Sequence, residues 1–343
     1  MASKAAPNSK SPGTVRHARV RSGPLRLDLS ALGLSALGWF AAIVATLGLT
    51  AWLIGLVVSD RFLWSQYLLW IPTLAALGFG ALGLLAGLRP ARQAAYRRWR
   101  TARWGGVLAA LLIYFLAVEN RPFVPAPAPT GIDIVHWNIS PEENQQVDDP
   151  FAILFELNPD VAIVTDAWLQ PQSDAIRRWR ESGGQTVLSY PYTIFTRLPI
   201  VESRRVVARD RFYVTYLVLA LDEEAESTVT IHAVDLPSDL DRSRMQMARE
   251  LRSLIDAAEV PEPDVAIGDF NITRGAALNS IYPGYRHAFD LGGSGFSGTF
   301  PRAVPLAAID HALVAPRIQV QRYEIIDPGL ARHRLQRLHL APP

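Results

Sequence analysis

The sequence contains no cysteine. Disulfides, thiolate catalysis and cysteine-ligated zinc are therefore excluded, while the cellular compartment stays open. Charge is also missing, but only locally: Leu29 to Ser59, Phe62 to Leu88 and Trp104 to Val118 hold no Asp, Glu, Lys or Arg. The first two stretches exceed the roughly 20 apolar residues that a spanning helix needs. The third covers only about 22 Å at 1.5 Å per residue, so spanning would rely on Arg103 and Glu119 snorkelling at its flanks. None of the three carries an intramembrane charge, which leaves a transporter or channel without a substrate path.

What charge there is lies in clusters, so the net value of +2 says little. Lys4, Lys10, Arg16, Arg19, Arg21 and Arg26 precede the first apolar stretch, and Arg89, Arg92, Arg97, Arg98, Arg100 and Arg103 separate the second from the third. A nucleic-acid patch is one reading. Their position beside apolar stretches favours the positive-inside rule, with both clusters cytoplasmic. Three crossings of a cell membrane then place everything after Val118 on the extracytoplasmic side. If the third stretch only lies in the interface, that part is cytosolic.

The expected organisation is a basic, disordered tail over 1–28, a transmembrane helical region over 29–118, a proline-rich linker over 119–130 and an α/β domain over 131–343. Gly83 and Gly87 stand four apart and would allow close helix packing, including self-association. Trp39, Trp52, Trp64, Tyr67, Trp70 and Trp104 fit interfacial anchors. Pro122, Pro125, Pro127 and Pro129 favour an extended spacer at about 3.1 Å per residue, holding the domain close to the bilayer.

From Gly131 the periodicity is that of an α/β chain. Strands are expected at Ile132–Trp137, Asp160–Val164, Thr186–Phe195, Val214–Leu221, Thr228–Val234, Val265–Ile267, Ala308–Val314, Ile318–Ile325 and Leu335–Leu340. Helices are expected at Pro150–Leu157 and Arg242–Ala258. Many strands with few helices suit two sheets flanked by helices.

The most informative segments are Ala266-Ile-Gly-Asp269-Phe-Asn271 and Ala308-Ile-Asp310-His-Ala-Leu-Val314. Period two puts Asp269 and Asn271 on one side of the first strand. A carboxylate and a carboxamide converging at a strand end can orient water and hold a phosphoryl oxygen. Together with Val135-His-Trp-Asn138, Asn158-Pro-Asp-Val-Ala-Ile-Val-Thr-Asp166, Phe195-Thr-Arg-Leu-Pro-Ile200 and Ile231-His-Ala-Val-Asp235-Leu-Pro, in this order, they resemble the endonuclease/exonuclease/phosphatase superfamily of metal-dependent phosphodiesterases.

The resemblance covers most of residues 131–343 and implies a two-sheet αββα sandwich. It implies Asn138 and Asp166 at a Mg²⁺ or Mn²⁺ site, Asp269 on the attacking water, Asn271 on a phosphoryl oxygen, and Asp310 orienting a catalytic His333. Three positions depart from the pattern. Asp166 replaces a metal-binding Glu, Asp235 replaces a phosphate-binding His, and Arg332 replaces the acid before His333. Arg332 cannot ligate metal but can bind phosphate. Asp235 facing phosphate is repulsive unless a cation lies between them, and the alternative is that it caps the loop. His232 points away from Asp235 in a regular strand and reads as structural. The expected function is a membrane-anchored hydrolase of a phosphodiester or phosphomonoester. The alternative is a degenerate pseudoenzyme that binds an anionic ligand or a protein at the membrane surface.

Overall fold

The computed structural model describes residues 29–89, 94–125, 128–140, 149–166 and 173–341, with side chains from Ala36 onward. The tail expected over 1–28 lies outside the described residues, as does Arg92. Helices α1 (Leu29–Val58), α2 (Leu63–Leu69), α3 (Thr73–Leu88) and α4 (Ala94–Tyr114) come first, and α4 runs on as a π-helical turn over Phe115–Glu119. Among the described residues, two segments are long and apolar enough to cross a membrane, Ala36–Val58 and Ala94–Glu119.

The apolar stretch 62–88, expected as one span, is broken: α2 and α3 meet at a bend of 69°. Pro72 lacks an N–H and biases Ile71 away from helical geometry, so a continuous helix must stop there. In contrast, the stretch 104–118 belongs to a longer helix than expected. It starts at Ala94 and takes Arg97, Arg98, Arg100 and Arg103 into its first turns, giving 26 residues through Glu119. Helix α3 packs on both α1 and α4. A Cβ on Gly83 would sit 2.3 Å from the Trp104 ring, and Gly87 faces Thr101. The close approach these glycines allow is made to α4 of the same chain.

The remaining elements are β1 (Ile132–Asn138), α5 (Pro150–Glu156), β2 (Val161–Thr165), α6 (Asp174–Glu181), β3 (Gln185–Ser189), β4 (Tyr192–Thr196), β5 (Ile200–Arg209), β6 (Phe212–Ala220), β7 (Thr228–Asp235), α7 (Arg244–Ala257), β8 (Val265–Asp269), α8 (Ala276–Ile281), β9 (Arg286–His287), α9 (Ala288–Gly292), β10 (Gly293–Ser294), β11 (Asp310–Val314), β12 (Val320–Ile326) and β13 (Leu335–Leu340). The described strands form a seven-stranded sheet, β10-β12-β13-β1-β2-β4-β3, and a six-stranded sheet, β5-β6-β7-β8-β11-β9. Ile134, Ile163, Ile194, Leu217, Ile231 and Ile267 meet between the sheets. Phe151, Leu154, Ile176 and Trp179 of α5 and α6 cover the outer face of the first sheet. Met247, Leu251 and Ile255 of α7 with Leu278 and Ile281 of α8 cover that of the second. The result is the expected αββα sandwich.

Parallel pairing fixes where the site falls. Strand β1 pairs in parallel with β2, with Asn138 opposite Thr165; β7 pairs in parallel with β8, with Asp235 opposite Asp269. All four strands therefore end at one edge of the sandwich. Gly268 is required there, because a Cβ would lie 1.8 Å from the Val234 carbonyl oxygen of β7.

That edge is the one docked on the helical region. Helix α8 has no side-chain cap from its own N-cap, Gly275. Instead Ser59 Oγ accepts from Ala276 N, and Asp60 Oδ1 accepts from Ala277 N, each at 2.9 Å. Gln66 of α2 donates to the Leu240 and Arg242 carbonyls at 2.9 and 3.1 Å and accepts from Arg244 N at 3.0 Å. Asn120 Oδ1 accepts from Ser297 N at 2.9 Å. The linker is pinned at both ends, Arg121 pairing with Gly295 and Thr130 hydrogen-bonding Gln321. Gln321 lies at the far end of β12 from the docked edge, since Val320 pairs with Leu340 and Ile132 with Leu340. The chain thus climbs beside the domain, and β1 runs back toward the helices to deliver Asn138.

Candidate active site

Strand β8 ends as Gly268-Asp269, and the chain then breaks out of the sheet. Asn271 takes φ +50° and Asp166, just after β2, takes φ +55°. Left-handed backbone at non-glycine residues is tolerated best by Asn and Asp, and it concentrates at functional sites. The Asp269 carboxylate is buried and held on both oxygens. Oδ2 accepts from Asn138 Nδ2 at 3.0 Å, and Oδ1 accepts from Asn271 N at 2.9 Å. Asn138 Oδ1 accepts in turn from Ser140 N at 3.0 Å. Asn271 Nδ2 donates to the Leu236 carbonyl at 2.8 Å, which ties the loop after β8 to the loop after β7.

Antiparallel pairing of β11 with β8 sets Asp310 opposite Asp269. His333 Nδ1 lies 2.9 Å from Asp310 Oδ2 and 3.8 Å from Asp269 Oδ2. Asp269, Asp310 and His333 thereby present ligand-type atoms all within 4.8 Å of one another, a group able to hold a metal ion. Among the described residues, Asp310 Oδ1 has no hydrogen-bond partner.

Electrostatics follow from this crowding. Burial, then the Asp310 charge, pushes the Asp269 carboxyl up to about 7, against the pull of His333. Burial works against a charged His333, but Asp310 and Asp269 overcome it and raise the imidazole to about 9. Asp310 is also penalised by burial, yet His333 holds it below the usual carboxylate range. The pair is therefore an imidazolium–carboxylate at neutral pH. Asp235 is raised well above its ordinary value by burial and by the charges of Asp269, Asp166 and Asp310.

Of the residues expected from sequence, Asn138, Asp269, Asp310 and His333 are thus in direct contact, and Asn271 joins them through the backbone. Asp166 sits on the rim, exposed, near enough to act on Asp235. Arg332 is exposed, with its guanidinium 5.6 Å from the centre of the Phe300 ring. His232 turns to the opposite side of its strand, where Nδ1 meets Tyr282 OH at 2.9 Å.

Sequence reasoning missed the floor of the site. Thr299 Oγ1 accepts from Ile309 N and Asp310 N at 3.2 Å, and Phe300 packs on the His333 ring at 4.9 Å. Gln336 Nε2 lies 2.9 Å from His136 Nδ1 and 3.2 Å from the Gly268 carbonyl. Burial lowers His136 to about 4, so it stays a neutral prop. A polar Gln at an inward position of Leu335-Gln-Arg-Leu338 was the available signal. Thr299 offered none.

Fold and pocket together define an αββα sandwich with a carboxylate–imidazole site at the C-terminal ends of its parallel strands. No family model and no curated protein matches the chain. Solved structures are similar in fold. An endonuclease/exonuclease/phosphatase family protein from Bacteroides thetaiotaomicron is 14% identical with a TM-score of 0.46, over 62% of this chain and 95% of that one. Truncated TDP2 from Caenorhabditis elegans is 12% identical with a TM-score of 0.48, over 61% and 97%. An AP endonuclease from Archaeoglobus fulgidus is 12% identical with a TM-score of 0.47, over 61% and 99%.

Proposed function

We propose that the chain is a membrane-anchored hydrolase of phosphate esters, a phosphodiester or a phosphomonoester. The observation that carries this is the contact chain Asn138–Asp269–His333–Asp310, built from residues far apart in sequence and closed at 3.0, 3.8 and 2.9 Å. Oxygen donors gather at this edge and fit a hard divalent cation such as Mg²⁺ or Mn²⁺: Asp269 and Asp310 lie within 4.8 Å of each other, the Asn138 amide is bonded to Asp269, and Asp166 and Asp235 are near enough to act electrostatically. When bound there, the cation would offset phosphate charge and polarise the phosphoryl group.

The chain's own residues supply the rest. Asp269 takes the proton of a water whose oxygen bonds to phosphorus. The ester P–O bond breaks, and the leaving oxygen takes up a proton from solvent. The second N–H of Asn271 and the His333 imidazolium donate to phosphoryl oxygens as charge develops. Asp310 keeps His333 charged and oriented, and Arg332 adds a rim cation. Among the described residues, Arg89 follows α3 and Arg97, Arg98, Arg100 and Arg103 lie in the first turns of α4, at the helix ends away from the domain, and this arrangement supports an extracytoplasmic domain.

The purified protein is expected to cleave bis(p-nitrophenyl) phosphate with Mg²⁺ or Mn²⁺, and Asp269→Ala to abolish turnover. Absence of metal-dependent turnover over a broad ester panel would reject the activity. The acidic Asp235 and basic Arg332 favour a second reading, an anion- or protein-binding pseudoenzyme. That reading requires no measurable Mg²⁺ affinity, so calorimetry showing Asp166-dependent binding would refute it.

A further inference from the structure

Three loops of the catalytic edge are also the loops that dock on the helical region. The loop after β7 holds α2 through Gln66, the loop after β8 is capped by Ser59 and Asp60, and the 295–308 loop meets Asn120. The exposed large apolar side chains on these loops and on the β3–β4 turn are Tyr190, Leu240, Phe296, Val304 and Leu306, each 43% to 66% exposed. An apolar rim around a charged pocket is costly in water and suits a surface laid against lipid.

Between that rim and the helices lies a cavity of about 640 Å³. Trp52 and Leu56 of α1, Leu69 and Trp70 of the bend, and Phe115 of the α4 extension wall one side; Phe296 and Val304 to Ala308 wall the other. Among its polar lining groups, Arg274 pairs with Asp290 and Glu119 hydrogen-bonds Thr73. The cavity is lined by chain neighbours of the pocket residues. Thr273 and Arg274 lie just beyond Asn271, Gly298 and Ala308 bracket the segment holding Thr299 and Phe300, and Arg334 follows His333.

We infer that the ester hydrolysed at Asp269 belongs to a membrane lipid, whose headgroup phosphate enters the pocket from the bilayer side while one hydrocarbon chain lodges in the cavity between the helices and the domain. The inference rests on the phosphoesterase reading above and adds the substrate class. Continuity argues for an acyl chain over an apolar peptide. Trp52 and Leu56 of one candidate span and Tyr114, Phe115 and Val118 of the other form part of the cavity wall, so an acyl chain can reach it along the spans. Burial of each methylene is favourable, and binding energy remote from the reacting atoms is available to position them.

The test uses the full chain reconstituted in phosphatidylcholine vesicles. Two kinds of substrate are compared: long-chain phosphatidic acid or phosphatidylglycerol in the vesicle, and glycerol phosphate or bis(p-nitrophenyl) phosphate in solution. Leu56→Trp fills the cavity, and Phe296→Asp with Val304→Asp breaks the rim. Both are expected to lower turnover of the vesicle lipid by about tenfold or more relative to the same variant's turnover of the soluble diester. A vesicle carrying a photoactivatable acyl chain should label Trp70 or Phe296, a readout that does not depend on activity or on the variants folding. Asp269-dependent cleavage of the soluble diester without cleavage of the lipid, equal losses on both, or labelling confined to the outer faces of α1 and α4 would overturn the lipid assignment alone. Absence of Asp269-dependent turnover on either substrate would instead sink the hydrolase reading and the lipid assignment with it.

Discussion

At the scale of residues, the site is a problem in charge. Asp166, Asp235, Asp269 and Asp310 act on one another at one strand edge, with His333 as the cation among them. A like charge opposite Asp269 in the neighbouring strand is tolerable if a divalent cation sits nearby. Asp235→Asn is accordingly expected to raise the Mg²⁺ concentration for half-maximal activity by about tenfold, whereas a loop-capping Asp235 would leave it unchanged. Titration of activity against metal separates the two. His333 gives the stability prediction. Its folded value, about 9, lies above the ordinary 6.5, so the folded state holds a proton that the unfolded state has lost between those values. The stabilisation is complete below pH 6.5 and is lost as pH rises through 9. Urea midpoints should therefore fall across that window, and His333→Asn should flatten the slope. A slope that survives the substitution would place the titration elsewhere.

Elements decide how those residues meet, and here α8 is the informative one. It is six residues long, its N-cap is glycine, and its first N–H groups are satisfied from another part of the chain. Asp60→Ala leaves Ala277 N buried without an acceptor and should cost about 1–3 kcal/mol. Thermal melts should show the loss, and Asp60→Asn should recover part of it by keeping an acceptor at that position. The same elements show what could be read from sequence and why. Strands β1, β2, β7, β8, β11 and β13 were legible because burial on both faces gives runs of Val, Ile and Leu. Strand β5 was not: it is an edge strand, mostly exposed, and its Arg204, Arg205 and Arg209 obey solvent rather than a core. The segment Thr186–Phe195 read as one strand because its hairpin turns on Tyr190-Pro191, without the glycine that marks a tight turn. Asp269, Asp310 and His333 were legible as a motif series, but the props Thr299, Gln336 and His136 follow only from packing. The break at Pro72 was visible as a residue and obscured by apolar composition on both sides.

Over the whole molecule, the helical region works as a second foundation for the catalytic edge. The sandwich has its own cores between the sheets and under each helical layer, so residues 131–343 are expected to fold without the helices, with circular dichroism of the isolated domain as the check. What they lose is local. Ala276 N, Ala277 N, Ser297 N, Arg244 N and the Leu240 and Arg242 carbonyls exchange protein partners for water. Each exchange costs about 0.5–1.5 kcal/mol, because the freed groups become hydrated and are not left buried. That loss falls on the loops carrying Asn271, Asp235 and Phe300, while the sheets stay intact. Hydrogen exchange on the isolated domain should therefore quicken in 236–244, 271–277 and 295–308 and stay unchanged in β1, β7 and β8. Activity toward a soluble diester should drop with it, through turnover more than through KM, since loosened loops misplace Asp269 and Asn271 relative to bound phosphate. Uniform quickening across the sheets would mean that the helices support the fold as a whole. No quickening in the three loops would mean that the contacts to Ser59, Asp60, Gln66 and Asn120 contribute nothing to the site.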